Sequence, residues 1–451
     1  MLNLTRRADV TAPPRTLGLD SAAALVVGEV IGVGIFLTPA EMTKALGSPF
    51  WVLAVWLAVG ATVFCGALCY GELAARFPEA GGGYVYLREA WGPGIAFLYG
   101  WKSLLVMDPG LTAALAAGFG HYAAALVPLD AVGEKLVAMA LILVLALFSA
   151  LGVRIGGSVV RGLALVKVLL LGTIIVMGLA SSRGAWSNFA PFVAPRAGSA
   201  PLVAGLASGI LGAFFSFGGF WDIAKIGGEI RDPTRTLPRA LAIGVGIATV
   251  IYILTSGAFI HLVPIEAAGS GPAFAAQAGV ALFGVDGGRV FAAIVLVAIA
   301  GSLAAVLMTA PRVYYAMAKD GLFPGAVGRR HPRFGTPVRA IALQALLGCV
   351  AVGFATFEAI LAYFICITVA FLALTVAGLY RLPRPPGNVF RVPGYPVTPL
   401  AFLALLTTLI ALFFAGRPLE AAFGTLVVAL GYPVYRFVVS PRLARRHEEA
   451  P

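Results

Sequence analysis

The chain has 451 residues, of which 60% are hydrophobic and only 12% are charged. Its mean hydropathy is +0.94, which excludes an ordinary soluble globular domain, because about 25% of the residues in such domains are charged. The net charge of +12 raises the question of nucleic-acid binding, which the placement of the basic residues answers.

Long apolar runs recur from residue 21 to about residue 440, and runs of this length predict membrane-spanning helices. The fold class predicted is therefore an all-α polytopic membrane protein with about twelve spans. The third and eighth spans exceed the roughly 20 residues that a crossing needs, which predicts that they are tilted. The predicted spans are 21–45, 50–74, 93–127, 133–151, 157–181, 201–228, 239–263, 285–318, 338–357, 359–379, 396–415 and 418–440.

The basic residues are distributed unevenly between the two sides of these spans. If the N-terminus is cytoplasmic, 23 of the 32 lysines and arginines lie in cytoplasmic segments or at the cytoplasmic ends of spans, six lie outside or at the outer ends, and the remaining three, Lys102, Lys167 and Lys225, are assigned to spans. This bias predicts that both termini face the cytoplasm across the cell membrane, and it leaves no need for a nucleic-acid partner. Residues 1–20 lack an apolar stretch followed by a cleavage site, so they are predicted to be a cytoplasmic tail.

The cysteines and histidines give no sign of a cofactor or metal. All four cysteines lie in apolar segments, which indicates no disulfide framework. The four histidines are scattered without metal-ligand spacing. No nucleophile elbow, phosphate loop or zinc motif is present, so the chain is predicted not to be an enzyme.

The segment 28–36 interrupts the first span and reads Gly-Glu-Val-Ile-Gly-Val-Gly-Ile-Phe. Each glycine weakens a helix by about 1 kcal/mol relative to alanine. Broken backbone persists inside a membrane only where it lines a cavity or faces protein, and its free N–H and C=O groups can hold a small ligand. A second candidate break, 215–220, reads Phe-Ser-Phe-Gly-Gly-Phe. The alternative is that these glycines only allow close helix packing.

A series of motifs resembles the L-type amino acid transporter family of the amino acid–polyamine–organocation superfamily. They follow the family's order across nearly the whole chain, and six such motifs together are far more specific than any one. The segments that carry the resemblance are 69–93, 99–101, 159–170, 228–240, 312–337 and 391–396.

The resemblance implies one transmembrane domain built from two inverted five-helix repeats with helices 1 and 6 broken, followed by two further helices. The expected boundaries are 21–181 and 201–379 for the repeats, 396–440 for helices 11 and 12, and 1–20 and 441–451 for the tails. The two glycine-interrupted spans are the first and the sixth, which are corresponding positions of the two halves.

The resemblance also implies a substrate site at the two breaks. N–H groups around Val33 and Gly34 would receive a carboxylate, and carbonyls near Val30, Phe215 and Gly218 would accept from an ammonium group. Valine stands at position 33 where the family usually has a hydroxyl residue, and Phe215 matches an aromatic gate. The predicted substrate-binding residues are Val30, Ile31, Gly32, Val33, Gly34, Phe215, Ser216, Phe217, Gly218, Phe220 and Trp221.

Lys167 lies in the middle of the fifth span, where a charge is costly and usually functional. By the resemblance, its ammonium group occupies the place of a sodium ion in sodium-coupled relatives, which predicts sodium-independent transport. The alternative is that its side chain reaches the inner membrane surface.

Three carboxylates depart from the family pattern: Glu29 beside the first break, Asp222 after the second, and Asp108 in the third span. They are candidates for proton coupling or for binding a cationic substrate. The alternative is pairing with Lys102, Lys167 or Lys225, because a buried charge needs a partner. Glu29 is favoured as the functional residue because it flanks the break.

The sequence predicts a secondary active transporter of amino acids that works by proton-coupled uptake or exchange without sodium. The alternative is an amine or polyamine transporter of the same fold. Eukaryotic L-type members join a single-span heavy chain through a cysteine in the loop between helices 3 and 4. The corresponding loop here, 128–135, has no cysteine, so no disulfide-linked heavy chain is expected.

Overall fold

A computed structural model describes residues 15–269, 274–354, 357–383, 387 and 389–441 of the chain. Within these ranges the regular structure is helical, apart from one isolated bridge between Leu17 and Ile230. The prediction of an all-α polytopic membrane protein is confirmed.

The first half of the chain forms nine α-helices, several of them joined by short irregular segments. A π-helical turn at Ser103–Met107 joins α5 to α6. The helices are α1 (Leu19–Val30), α2 (Gly34–Leu46), α3 (Pro49–Arg76), α4 (Gly83–Trp91), α5 (Pro93–Lys102), α6 (Asp108–Ala124), α7 (Ala131–Ala150), α8 (Val153–Ala180) and α9 (Leu202–Ser216).

A 3₁₀ helix at Phe220–Glu229, kinked at Ile226, follows α9 and leads into the second half of the chain. The helices that follow are α10 (Pro233–Leu262), α11 (Phe274–Phe283), α12 (Gly287–Thr309), α13 (Pro311–Lys319), α14 (Val338–Phe354), α15 (Phe357–Ala377), α16 (Val397–Gly416) and α17 (Pro418–Val434).

Nine helical segments in the described part of the chain are long and apolar enough to cross a membrane, and the bent pair α1–α2 makes a tenth span. Two shorter apolar helical stretches, Val338–Gly353 and Cys366–Tyr380, lie where the ninth and tenth spans are predicted. The twelve segments thus follow the predicted order, because a run of about 20 apolar residues sets both the position and the length of a span.

Helix starts are encoded locally. Ser48 caps α3 by accepting a hydrogen bond from the Trp51 N–H at 3.5 Å, with Pro49 in the first turn. The Asp130 side chain caps α7 by accepting from the Gly133 N–H at 2.7 Å. Such caps satisfy N–H groups that a helix leaves free at its start, so they help to fix where α3 and α7 begin.

The broken helix α1 lies at the centre of the molecule, where it packs against α8, α10 and α12. Its partner α2 packs against α9, the helix that leads into the second break. Helices α16 and α17 lie at the periphery, and side chains such as Leu419 on α17 are exposed. The two breaks are therefore enclosed by other helices, as broken backbone in a membrane requires.

Candidate functional site

The first break separates α1 from α2 at residues 31–33. The two helices meet at an angle of 44°. Gly32 N–H turns back to donate to the Val30 carbonyl at 2.8 Å, and Phe36 N–H donates to the Val33 carbonyl at 3.1 Å. The first N–H groups of α2 have no carbonyl one turn earlier within that helix, so this end attracts negative charge.

The second break follows α9 at Ser216. Gly219 has a φ of +96°, in the left-handed region where glycine lacks the steric penalty of other residues. The chain then continues as the 3₁₀ helix Phe220–Glu229. This change of helix type redirects the chain and brings Asp222 to the wall of a cavity.

The two breaks pack directly against each other. A Cβ on Gly34 would lie 2.6 Å from the Ser216 Oγ and 2.9 Å from the Ser216 Cα. A Cβ on Gly219 would lie 3.1 Å from the Glu29 Cβ. Only a residue without a side chain allows this approach at Gly34, because real Cβ atoms do not come within 3.0 Å of such atoms. These two glycines therefore allow the ends of α1, α2 and α9 to pack closely against each other.

The Tyr252 hydroxyl on α10 links the two breaks. It lies 2.7 Å from the Val30 carbonyl and 2.6 Å from the Ser216 carbonyl, and it donates its proton between them. Both carbonyls belong to helix ends, where backbone acceptors need partners from outside the helix. One buried side chain thus satisfies groups on both halves of the chain.

Lys167 on α8 reaches the carbonyls that the first break exposes. Its Nζ donates to the Gly28 carbonyl at 2.9 Å, to the Ile31 carbonyl, and to the Ser302 Oγ at 3.1 Å. An ammonium group has three N–H donors, so all three have acceptors. The side chain is 1% exposed, and it therefore points into the protein rather than to a membrane surface.

Glu29 occupies the end of α1, between the two breaks. Its Oε1 accepts a hydrogen bond from the Thr309 hydroxyl of α12 at 2.8 Å. Its Oε2 has no hydrogen-bond partner among the residues that the structure describes. The residue is 7% exposed and borders the cavity. A buried carboxylate oxygen without a donor is costly, which marks this oxygen as a place for a ligand.

The other two unusual carboxylates share one lysine. Lys225 Nζ lies 3.0 Å from the Asp222 Oδ1, in an ion pair without hydrogen-bond alignment, and 3.4 Å from the Asp108 Oδ1. The Asp108 Oδ2 accepts from the Tyr314 hydroxyl at 2.9 Å. All three charged side chains are 1% exposed. Lys225 therefore compensates charge on Asp108 and Asp222, and among the described residues it forms no ion pair with Glu29.

Lys102, the third lysine within a span, lies near this cluster. Its Nζ is 2.8 Å from the Met107 sulfur and 4.7 Å from the centre of the Tyr99 ring. Sulfur is a weak acceptor, and the ring face adds a cation–π attraction. The π-helical turn Ser103–Met107 lies between Lys102 and Asp108, a type of bulge that is common at functional sites.

A cavity of about 90 Å³ lies between the two breaks. A water molecule needs at least roughly 10–15 Å³ by this measure, so the cavity has room for about six to nine water-sized groups. Its wall is apolar except for two carboxylates, three hydroxyls and exposed backbone. The lining residues are Glu29, Val30, Gly32, Val33, Gly34, Met107, Leu111, Leu115, Phe214, Phe215, Ser216, Gly218, Gly219, Trp221, Asp222, Ser302, Val306, Thr368 and Val369.

The structure brings eight of the eleven predicted substrate-binding residues to this cavity. The three others do not line it. Ile31 and Phe217 are fully buried, with the Phe217 ring centre 5.0 Å from that of Tyr252. Phe220 packs against Tyr70, with ring centres 5.8 Å apart. The 3₁₀ geometry explains this difference, because it turns Trp221 and Asp222 towards the cavity and Phe220 away from it.

Sequence reasoning missed the polar residues that other helices supply. Ser302 and Thr309 lie on α12 with Val306 between them, at the i, i+4, i+7 spacing that places side chains on one helix face. Ser302 and Val306 line the cavity, and Thr309 donates to Glu29. Two hydroxyls on one face of an otherwise apolar span are a detectable signal. Tyr252 carries no comparable signal, because no sequence pattern links it to Val30.

Backbone hydrogen bonds and a buried ion pair join Glu229, at the end of the 3₁₀ segment, to residues 16–17 and to α13. The Thr16 and Leu17 N–H groups donate to the Glu229 carbonyl at 3.0 and 3.1 Å. Arg312 Nε lies 3.2 Å from the Glu229 Oε1 in a buried ion pair. Glu72 pairs with Arg76 on the same helix. In the described ranges no group of three or more metal-ligating side chains is assembled.

Comparison with known proteins gives a consistent set of relatives. A sequence model of the family described as amino acid permease matches residues 17–434. The chain is 29% identical over 435 residues to the serine/threonine exchanger SteT of Bacillus subtilis (strain 168), covering 93% of this chain and 96% of that one. It is 28% identical over 436 residues to the large neutral amino acids transporter small subunit 2 of Homo sapiens, covering 93% and 80%. It is 28% identical over 418 residues to the b(0,+)-type amino acid transporter 1 of Mus musculus, covering 91% and 83%. The family and these relatives are transporters rather than enzymes.

Proposed function

Because this chain belongs to the amino acid permease family, as its resemblance to the L-type transporters predicted, we propose that it carries small amino acids across the cell membrane by secondary active transport. The observation that carries the proposal is the cavity between two broken helices, lined by Gly34 and Gly218 at the breaks. Sites of this kind hold a substrate midway across the bilayer, and alternating access then carries it through. A volume of about 90 Å³ suits alanine, serine or threonine better than a large side chain.

The proposed substrate lies with its carboxylate at the start of α2. The N–H groups around Val33 and Gly34 supply donors and a positive helix end there. Val33 has no hydroxyl, so only backbone N–H groups bind the carboxylate at this position. Phe215 is half-buried in the cavity wall and covers the bound substrate as an aromatic gate.

Transport is proposed to be independent of sodium. A sodium ion binds oxygen ligands, and the Gly28 and Ile31 carbonyls beside the break already accept from the Lys167 ammonium group. Because the Lys167 ammonium group already occupies this position, a sodium ion there would be repelled by a like charge at short range. Transport is then either an exchange of amino acids or coupled to a proton. The residues proposed to take part in the coupling are Lys167, Glu29, Asp222 and Asp108.

The inverted-repeat organisation is also a proposal. The proposed repeats are 21–181 and 201–379, and the proposal is supported by the breaks after Val30 and Ser216, each of which lies in the first span of its repeat. The excess of basic residues in alternate loops supports a cell-membrane location with both termini cytoplasmic. All four cysteines are free and none lies in the loop 128–135, which supports transport without a disulfide-linked heavy chain.

A small amine is the alternative substrate, and the unpaired Glu29 oxygen favours it. A thermal-shift screen of the purified protein separates the two, because a ligand that binds the folded state raises its apparent Tm by mass action. The screen covers the twenty amino acids, their decarboxylated amines and polyamines. Stabilisation that is greater for small amino acids than for their amines supports the proposal. Stabilisation by amines alone would replace it with the alternative.

A further inference from the structure

The backbone carbonyls around the first break are already occupied by the protein's own donors. The Gly28 and Ile31 carbonyls each lie within hydrogen-bond distance of Lys167 Nζ and Ser302 Oγ. The Val30 carbonyl receives Gly32 N–H at 2.8 Å and the Tyr252 hydroxyl at 2.7 Å. A carbonyl oxygen has two lone pairs. These three acceptors therefore have little capacity left for the ammonium group of a substrate.

Another acceptor at this break is Glu29 Oε2. It has no donor among the described residues, although Oε1 of the same carboxylate accepts from Thr309. A Cβ on Gly219 would lie 3.5 Å from Oε2, so this oxygen lies in the gap between the two breaks. Glu29 itself lines the cavity.

The neighbouring cations are engaged elsewhere. Lys167 Nζ uses its three N–H donors on Gly28, Ile31 and Ser302. Lys225 lies between Asp108 and Asp222. Neither lysine forms an ion pair with Glu29 at these distances, so a positively charged group of a ligand would be the direct counter-charge of this carboxylate.

We propose that Glu29 Oε2 binds the α-ammonium group of the transported amino acid. The inference rests on the proposed function and deepens it, because it assigns the cation end of the substrate to a side chain. The carboxylate end then lies at the start of α2, and the residues 31–33 separate the two ends of the zwitterion. A carboxylate acceptor makes a charge-assisted hydrogen bond, which is about twice as strong as one between neutral groups.

The test measures binding of three ligands to the purified full-length protein by calorimetric titration. The ligands are L-serine, ethanolamine, which lacks the carboxylate, and 3-hydroxypropionate, which lacks the amino group. The variants are Glu29→Gln, which removes the charge at nearly constant volume, and Glu29→Asp, which keeps the charge one methylene shorter. The matched control is Glu72→Gln, a buried carboxylate paired with Arg76 outside the cavity.

The proposal predicts that Glu29→Gln weakens serine and ethanolamine binding by about 30-fold or more, the effect of removing one partner of a buried charge pair. It predicts that 3-hydroxypropionate binds this variant at least as tightly as the wild type, because a repelling charge has gone. Glu29→Asp recovers part of the serine affinity, and Glu72→Gln keeps all of it.

Two results would overturn the inference while the proposed function stands. One is wild-type serine affinity in Glu29→Gln. The other is an equal loss for all three ligands, which indicates damage to the cavity rather than recognition of an ammonium group. If the wild type binds neither serine nor any other amino acid, the proposed function falls, and the inference falls with it.

Discussion

At the scale of single residues, the site depends on side chains that satisfy broken backbone. Lys167, Ser302 and Tyr252 come from three different helices and all contact carbonyls at the end of α1. In a membrane interior no water replaces such partners, so each unsatisfied carbonyl costs free energy. The break is therefore stable only while these three side chains remain in place.

Substitution of Lys167 by methionine should lower serine transport by about tenfold or more, the effect expected when a charged hydrogen-bond donor is lost. The substitution keeps a similar length but removes the donors to the Gly28 and Ile31 carbonyls. Uptake into proteoliposomes measures the effect. The matched control is Lys135→Met, because Lys135 is exposed at the start of α7. Normal uptake by Lys167→Met would remove this lysine from the mechanism.

Tyr252→Phe should reduce the stability of the folded protein by about 1–3 kcal/mol, the cost of a buried acceptor that has lost its donor. The Ser216 and Val30 carbonyls both lose the hydroxyl, and the ring remains to fill the space. The apparent Tm in detergent reports the change, with Tyr432→Phe on the exposed face of α17 as control. Equal Tm values for the two variants would show that the hydroxyl does not link the breaks.

At the scale of helices, the ends of the broken helices pack closely because a glycine lies at each point of contact. Gly34 at the start of α2 meets Ser216 at the end of α9, and Gly219 meets Glu29 at the end of α1. The helix ends therefore form one packed unit around the cavity. A motion of α1 or α9 changes the cavity directly.

Gly34→Ala should block transport and lower stability by about 1–3 kcal/mol, as overpacking of a close-packed site does. The added Cβ would lie 2.9 Å from the Ser216 Cα, and backbone cannot move aside as a side-chain tip can. Gly162→Ala on α8 is the control, because its Cβ would meet nothing within 4 Å. If Gly34→Ala transports serine normally, the close approach of the two breaks has no role.

Hydropathy predicted the spans, because a membrane segment needs a long apolar run whatever its contacts. Glycine clusters predicted the location of both breaks, since helix propensity is a local property. The partners of the breaks were harder to predict. Thr309 and Glu29 are 280 positions apart, and only the three-dimensional packing brings them together. The resemblance placed Phe220 in the site, but its side chain does not line the cavity, because a 3₁₀ helix in place of an α-helix changes which side chains face inward.

At the scale of the whole molecule, the chain is a multi-pass membrane protein whose cavity lies among the central helices. Glu229 joins distant parts of the chain, because its carbonyl accepts from Thr16 and Leu17 and its carboxylate pairs with Arg312. Loss of one charge of a buried pair costs more than loss of both, because the remaining charge has no partner.

The double variant Glu229→Gln/Arg312→Met should therefore be more stable than the sum of its single variants predicts, with a coupling free energy of about 0.5–3 kcal/mol. Apparent Tm values of the two single variants and the double variant give this coupling. Additive changes in Tm would show that Glu229 and Arg312 do not interact in the folded protein.

Serine exchange in proteoliposomes without sodium is the most direct test of the proposed transport. The purified protein is placed in vesicles that contain unlabelled serine, and entry of labelled serine is followed in sodium-free buffer and again with sodium added. We expect labelled serine to enter only when the vesicles contain amino acid or when a proton gradient is present, and the rate of entry should not change with sodium. Absence of entry for every small amino acid, or entry that rises steeply with sodium, would contradict the proposal.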